Sequence, residues 1–158
     1  MKTISVTLTD DRYFLFHTQS LGLNKQDLLN ITESTSSTIP VYTAAKNPVA
    51  YIAELSNRKP IFASIGSPII SFASNGDGSA GKNFVLHTQP FYINRDRVAI
   101  SCVCKRISPD YVLYQLRDIK ETYSFDHHYK ANRRNLGCVQ IDIPILSDGQ
   151  FDLEKQKM

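Results

Sequence analysis

Residues 68–86, PIISFASNGDGSAGKNFVL, decide the fold because they contain the strongest turn signal in the chain. Two apolar runs, 68–72 and 84–86, flank a segment rich in glycine, asparagine and serine. Short apolar runs separated by such residues are typical of β-strands joined by a turn. We therefore predict a glycine-rich β-hairpin. Its tip is expected to expose Ser79, Lys82 and Asn83.

The same tip satisfies the glycine and lysine spacing of a phosphate-binding P-loop. In that motif a Ser or Thr follows the lysine to hold magnesium, and the loop leads into a helix. Here Asn83 follows, and the β-like residues after it lead to Pro90. Nucleotide hydrolysis is therefore not predicted. Two interpretations remain open: a turn without a ligand, and a loop that approaches phosphates or bases.

Short strand-like runs extend in both directions from the hairpin. Alternation or β-rich composition predicts strands at 4–8, 13–16, 39–42, 49–55, 91–93, 98–103 and 139–143. Helix signals are fewer: Asn24 can cap one short helix, and Ser108-Pro109 begins a second with helical spacing through Ile119. Strands outnumber helices and no regular βαβ alternation occurs. We therefore predict one mixed α/β (α+β-like), strand-rich domain with a few short helices.

Length and composition narrow the class further. The chain has 158 residues, of which 42% are hydrophobic and 21% charged, which is enough for one domain with its own core. No apolar run has the ~18 residues of a membrane span, and the start lacks the apolar stretch of a signal peptide. Cys102, Cys104 and Cys138 match no zinc pattern, so we expect reduced cysteines, no metal site and a cytoplasmic location.

Positive charge is concentrated in the middle of the chain. The formal net charge is +3, and residues 82–134 carry ten basic against five acidic side chains, a local excess of +5. Arginine predominates among the main basic residues there, and its planar group suits bidentate contacts to phosphate or guanine. A polyanionic partner and an ordinary solvated basic face both fit this distribution.

Residues 123–135, YSFDHHYKANRRN, mix aromatic, amide and basic side chains with almost no aliphatic ones. Core segments do not have this composition, whereas loops that bind nucleic acid do. Asp126-His127-His128 could indicate a metal phosphoesterase, but that chemistry needs further Asp and His clusters, and the other histidines are isolated. No Ser/His/Asp arrangement or carboxylate pair stands out. We expect no catalytic residues in this chain.

Seven segments, in this order, resemble a target recognition domain of a type I restriction-modification DNA specificity subunit. They are IPVY (39–42), NGDGSAGK (75–82), PFYI (90–93), YVLYQL (111–116), RNLG (134–137), IDIPI (141–145) and GQFDLEKQ (149–156). The resemblance covers residues 25–158, and a fused restriction-methyltransferase with a similar specificity region fits as well. Residues 1–24 have no clear counterpart.

The resemblance implies that residues 1–150 form the target recognition domain and that 151–158 begin a long, truncated spacer helix. It implies sequence-specific recognition of double-stranded DNA, which directs partner methyltransferase (modification) and restriction endonuclease subunits to their target. A second recognition domain would read the other part of the site. S-adenosylmethionine, magnesium and ATP would belong to the partners, so no cofactor is expected in this chain.

On this interpretation, two loops read bases and further cations contact the DNA backbone. The first loop carries Ser79, Lys82 and Asn83, and the second carries Tyr129, Lys130, Asn132, Arg133 and Arg134. The expected backbone contacts are Arg95, Arg97, Lys105 and Arg106, with Tyr42 and Thr43 as weaker candidates. Two alternatives stay open: a non-enzymatic protein-interaction or assembly module with a basic face, and a small nucleic-acid enzyme with a dispersed site.

Overall fold

Nine strands and four short helices occur in the parts of the chain that the computed structural model describes, residues 2–34, 38–76 and 78–158. The strands are β1 (Thr3–Thr7), β2 (Phe14–His17), β3 (Ile39–Tyr42), β4 (Ala50–Ile52), β5 (Ile69–Ala73), β6 (Val85–His87), β7 (Tyr92–Ile93), β8 (Arg97–Cys102) and β9 (Gln140–Pro144). The helices are α1 (Lys25–Ser34), α2 (Pro109–Leu116), α3 (Ile119–Tyr123) and α4 (Leu153–Gln156), and a 3-10 turn covers Asn135–Cys138. The predicted mixed, strand-rich class is confirmed. Asp77 of the predicted hairpin tip lies outside the described residues.

A four-stranded antiparallel sheet, in the order β2-β8-β5-β6, forms the centre of the fold. Its β5–β6 pair is the hairpin predicted from residues 68–86. Hydrogen bonds from Ala73 N to Lys82 O (2.9 Å) and from Gly81 N to Ala73 O (2.8 Å) extend the pairing into the glycine-rich tip. The strand β6 follows the tip at the place where a P-loop would need a helix.

Two smaller sheets complete the architecture. Strand β1 pairs antiparallel with β9, and β3 lies between β4, to which it is antiparallel, and β7, to which it is parallel. The first 24 residues, which had no counterpart in the sequence resemblance, are part of this framework. Their strands β1 and β2 supply partners for β9 and β8, respectively.

The main hydrophobic core lies where the central sheet, the β1–β9 pair and α2 meet. Phe72 and Ile100 enter it from the central sheet and Leu116 from α2, and none of the three is exposed to solvent. In β9, Ile141 and Ile143 point into this core while Gln140 and Asp142 face solvent. The alternation read from the sequence therefore reflects one buried and one wet face of the strand.

The helix starts follow the expected capping pattern. The side chain of Asn24 accepts a hydrogen bond from Asp27 N at 2.8 Å ahead of α1. Ser108 caps α2, with Pro109 as the first helical residue. These side chains satisfy backbone donors that a helix start leaves unpaired.

One helix prediction was wrong in its extent. The spacing of apolar residues predicted a continuous helix through Ile119, but α2 ends at Leu116 and α3 begins at Ile119. The two residues between them, Arg117 and Asp118, are exposed, and aspartate disfavours a helix interior because its carboxylate competes for backbone donors. Ile119 is nevertheless buried, since both helices pack on the same core.

The three cysteines are free thiols in the structure. Burial raises the pKa of Cys102 to about 12, so this thiol stays protonated at neutral pH. Within residues 2–34, 38–76 and 78–158, no group of three or more His, Cys, Asp or Glu could hold a metal ion. No helix in this part of the chain is both long and apolar enough to cross a bilayer.

A buried polar cluster of Ser71, His87 and Arg97 lies across the central sheet. Arg97 Nε donates to Ser71 Oγ at 3.0 Å, and Ser71 Oγ lies 2.6 Å from His87 Nε2. The hydroxyl of Ser71 thus connects the Arg97 guanidinium to the imidazole of His87. Burial first, and the Arg97 charge second, lower the pKa of His87 to about 3.

We predict that His87 weakens the fold in acid. Its pKa falls from 6.5 in the unfolded chain to about 3 in the folded one, so below pH 6.5 the unfolded state binds the extra proton. The free energy of unfolding should then fall by up to about 1.4 kcal/mol per pH unit as the pH drops from 6.5 toward 3. Urea unfolding of wild type and His87→Gln at pH 7, 5.5 and 4 should show a shallower loss in the variant. Parallel curves would contradict the prediction.

We also predict a large difference between two isoleucine truncations. Ile100→Ala removes a fully buried side chain from the main core and should lower the free energy of unfolding by about 2–5 kcal/mol. Ile4→Ala is the matched control because Ile4 lies on a strand but is 48% exposed. Guanidinium unfolding measures the free energy of unfolding of both variants. Equal losses would contradict the assignment of Ile100 to the core and of Ile4 to the surface.

Candidate nucleic-acid interface

Strand directions bring three connecting segments to one end of the molecule. Because β5 is antiparallel to β6 and β8, the described parts of the hairpin tip, 74–76 and 78–84, share an end of the central sheet with the connection at 94–96. Because β3 and β7 are parallel, the segment at 43–49 leaves its sheet at the same end as 94–96. Residues far apart in sequence therefore meet here.

Hydrogen bonds join these segments directly. Asn83 Nδ2 donates to Ala44 O at 2.8 Å, which links the hairpin tip to the segment after β3. Ser74 N donates to Asp96 O at 2.9 Å, which links the tip to the β7–β8 connection. Arg97 Nη2, on the first residue of β8, donates to Asn83 O at 2.7 Å. The three segments thus form one bonded unit.

A fourth segment, residues 126–135, packs beside the hairpin tip. Ala131 N donates to Ser74 O at 2.8 Å. Nearby, Gly81 has a φ of +78°, and a Cβ there would lie 3.3 Å from Lys120 Cα and from the Phe125 ring. Glycine is therefore required at this position for both its backbone conformation and the close approach. We call residues 43–49, 74–76, 78–83, 94–96 and 126–135 together the loop end.

Short-range hydrogen bonds shape the 126–135 segment. Asp126 Oδ1 accepts from the backbone N–H groups of His128 and Tyr129, both at 2.8 Å, and these bonds lower the pKa of the Asp126 carboxyl. The Tyr129 ring stacks on Phe125 with centroids 5.2 Å apart. Asn132 Oδ1 accepts a hydrogen bond from Asn135 N at 3.0 Å. Such short-range bonds give the backbone of this polar segment a defined path.

Exposed positive charge is concentrated on the loop end. The exposed cations there are Lys46, Lys82, Arg95, Lys130, Arg133 and Arg134. Lys46 was not predicted from the sequence, although it lies only a few residues beyond the weaker candidates Tyr42 and Thr43. The Arg133 guanidinium lies 5.7 Å from the Phe16 ring, and Lys82 Nζ lies 3.9 Å from the Glu121 carboxylate. Both cations remain exposed, so a phosphate could compete for them.

Most of the predicted site residues lie together on the loop end. The predicted residues in this group are Ser79, Lys82, Asn83, Arg95, Tyr129, Lys130, Asn132, Arg133 and Arg134. Two of them are partly committed inside the protein: Asn83 Nδ2 bonds Ala44 O, and Ser79 shapes the tip by accepting at its backbone oxygen from Lys82 N at 2.8 Å. Their role in DNA contact stays a prediction.

The structure separates the four predicted backbone contacts. Arg97 is only 6% exposed and its guanidinium bonds groups of the protein, so it does not face a partner. Lys105 and Arg106 follow the far end of β8, about 17 Å along the strand from Arg97 at the ordinary rise per residue. Arg106 Nε there donates to Phe151 O at 2.9 Å. Of these four residues, only Arg95 lies on the loop end, because the length of β8 separates the residues that precede it from those that follow it.

No protein-family model and no curated protein matches the sequence. Solved structures do match in fold. The S subunit of the type I restriction-modification system from M. genitalium superposes with a TM-score of 0.68 at 19% identity and covers 99% of this chain. The HsdS subunit from Thermoanaerobacter tengcongensis gives 0.60 at 15% identity and covers 98%. A chain from a study of complex assembly and conformational transition in a type I R-M system gives 0.62 at 18% identity and also covers 98%.

These matches extend over the whole described framework, including β1 and β2, and not only over the hairpin. The chain spans 36%, 34% and 35% of the lengths of the three matched chains, about a third of each. The chain therefore has the fold of a third-length segment of type I restriction-modification S subunits, as its resemblance to a specificity subunit implied.

Proposed function

We propose that this chain is a target recognition domain that binds double-stranded DNA in a sequence-specific manner through the loop end. The observation that carries the proposal is the gathering of six exposed cations and several amide and aromatic side chains on loops of a shared rigid end. Such cations attract phosphates regardless of sequence, whereas amide and guanidinium groups can pair with base edges. The likeness in fold to S subunits supports the same function.

The loops are suited to reading because they are anchored. The hairpin tip continues the β5–β6 pairing, and the neighbouring segments bond to it through backbone groups. Base discrimination requires donors and acceptors to be held within a fraction of an ångström of their productive positions. A flexible basic loop would give salt-dependent attraction without that discrimination.

The remaining parts of the proposal concern the longer protein to which such a segment would belong. Residues 1–150 would be the recognition domain, and α4 would lie in the spacer segment that begins at 151. Partner methyltransferase and restriction subunits would carry catalysis together with S-adenosylmethionine, magnesium and ATP, in the cytoplasm. A second recognition domain would raise the overall affinity by effective concentration. This chain itself would be non-enzymatic.

A protein-interaction module is the alternative function, and one observation favours it. Phe62 and Ile65 are 63% and 88% exposed, and Phe62 lines a cleft together with Lys105 at the end of β8 opposite to the loop end. Exposed apolar side chains beside cations are typical of protein contact sites. This surface is compatible with DNA binding at the loop end, but it would be the main functional surface if DNA binding were absent.

Titration of labelled random-sequence duplexes at 50 mM and 200 mM salt tests the proposal. We expect binding that weakens steeply with salt, because each neutralised phosphate releases counterions. Absence of binding even at 50 mM salt would overturn DNA recognition and favour the interaction module. Incubation of duplex with magnesium and S-adenosylmethionine is the companion experiment, and cleavage or methylation by the chain alone would show that it is an enzyme.

We predict that Lys82→Ala and Arg133→Ala each weaken DNA binding without lowering the thermal midpoint. Loss of a phosphate contact should reduce the salt slope by about 1, and loss of a bidentate base contact should cost about 1–3 kcal/mol of discrimination. Fluorescence anisotropy at several salt concentrations measures both quantities.

The matched control is Lys105→Ala, since Lys105 is also an exposed cation but lies beyond the far end of β8. It should leave binding unchanged. If Lys105→Ala weakened binding as much as the other two, the loop end would not be the DNA surface. If Lys82→Ala and Arg133→Ala both unfolded the domain, those two residues would be structural.

A further inference from the structure

Arg97 occupies an unusual position for a cation. It is the first residue of β8, its side chain is buried, and it lies directly beneath the loop end. Its guanidinium lies 5.4 Å from the centre of the Tyr42 ring, at the end of β3. Strands of two different sheets therefore meet around this one side chain.

The guanidinium donates to three separate segments of the chain. Nε donates to Ser71 Oγ on β5 at 3.0 Å. Nη1 donates to the backbone oxygens of Thr43 and Ala45, at 3.2 and 3.0 Å, in the segment after β3. Nη2 donates to Asn83 O, at the base of the hairpin tip, at 2.7 Å. Because the five donors of arginine lie in one rigid plane, their partners are held at fixed relative positions.

A second hydrogen-bonded link, made by the Asn83 side chain, joins the hairpin tip to the segment after β3. Asn83 Nδ2 donates to Ala44 O at 2.8 Å, between the two oxygens that Arg97 holds. Asn83 itself has a left-handed backbone with φ of +60°, a conformation that asparagine tolerates better than most residues. The segment carrying Lys46 and the tip carrying Lys82 are thus linked twice, once through Arg97 and once through Asn83.

The charge of Arg97 is not balanced by an acid among the described residues. None of the ion pairs found there includes Arg97, and burial lowers its pKa to about 10, so it remains positive at neutral pH. Burying a cation without a carboxylate is costly, and its hydrogen bonds to carbonyl oxygens offset part of that cost. A neutral side chain could fill the space, but it could not hold three carbonyl oxygens in one plane.

We propose that Arg97 is a positioning residue that sets the spacing between the segment at 43–49 and the hairpin tip. It thereby determines sequence discrimination without touching DNA. This inference rests on the proposed DNA-binding function. Lysine at position 97 would keep the charge, but its three donors share one nitrogen and cannot reproduce the bonds that the guanidinium makes from three nitrogens to four oxygens. The two loops would then move relative to each other while general attraction to phosphates persisted.

The experiment begins with the wild-type chain and a pool of randomised duplexes, from which repeated selection and sequencing identify a preferred sequence. The affinity ratio between that sequence and a scrambled duplex is then measured for wild type and Arg97→Lys. We expect the ratio to fall about tenfold, within the range supplied by one base contact, while affinity for the scrambled duplex changes less than about twofold. Arg12→Lys is the matched control, since Arg12 is an exposed arginine that precedes β2 at the end of the central sheet opposite to the loop end, and its ratio should be unchanged.

Thermal melting checks that the variants are folded. If Arg97→Lys does not fold, Arg97→Gln takes its place, because glutamine has no charge to bury and its amide cannot bond all three segments. The same loss of discrimination is then expected.

A folded Arg97→Lys or Arg97→Gln variant that retains the wild-type ratio would overturn the positioning role and leave DNA recognition standing. An equal loss of affinity for both duplexes would also overturn it, since Arg97 would then support general DNA binding and not discrimination between sequences. A wild-type chain that binds DNA without any sequence preference would overturn sequence-specific recognition itself, and the positioning role with it.

Discussion

The backbone pairing of β8 with β2 on one side and β5 on the other is the constraint on which the rest of the structure depends. Buried N–H and C=O groups need partners, so the central strand must be flanked along its length. Antiparallel pairing then decides which connections share an end of the sheet. The hairpin tip and the 94–96 connection meet at the start of β8, while Lys105 and Arg106 follow its other end. Location relative to this strand, more than charge, separates the candidate DNA surface from the rest.

Charge at the loop end has two different functions in the structure. Exposed lysines and arginines are free to exchange internal contacts for phosphates, and they contribute little to the fold because surface ion pairs are weak. Arg97 does the opposite: it is withdrawn from solvent and its donors join three segments of chain. The same residue type is therefore exposed at the surface of the loop end and buried beneath it. Burial, which the sequence does not show, distinguishes the two.

Local signals predicted the strands and the helix starts well, but they did not show where every helix ends or which segments meet in space. All nine strands lie where apolar runs and alternation placed them, within a few residues, and the cap residues Asn24 and Ser108 begin helices. The break between α2 and α3 was missed because apolar spacing continues across it. Arg97, Lys105 and Arg106 were grouped by proximity in sequence, yet one is buried and two lie at the far end of a strand. Lys46 was overlooked because nothing local marks its segment as a neighbour of the hairpin.

The sequence by itself determined the strand-rich class, the glycine-rich hairpin and the excess of positive charge in residues 82–134, since these follow from periodicity, turn residues and counting. Only the tertiary structure decided which loops meet, because pairing between distant strands depends on the burial of whole faces and the register of backbone hydrogen bonds. It also decided that Arg97, one of the predicted contact residues, is buried and bonded inside the protein. The Arg97 guanidinium lies beside the carbonyl oxygens of Thr43 and Ala45, which are 54 and 52 residues distant in the chain, and of Asn83, which is 14 residues distant across the hairpin.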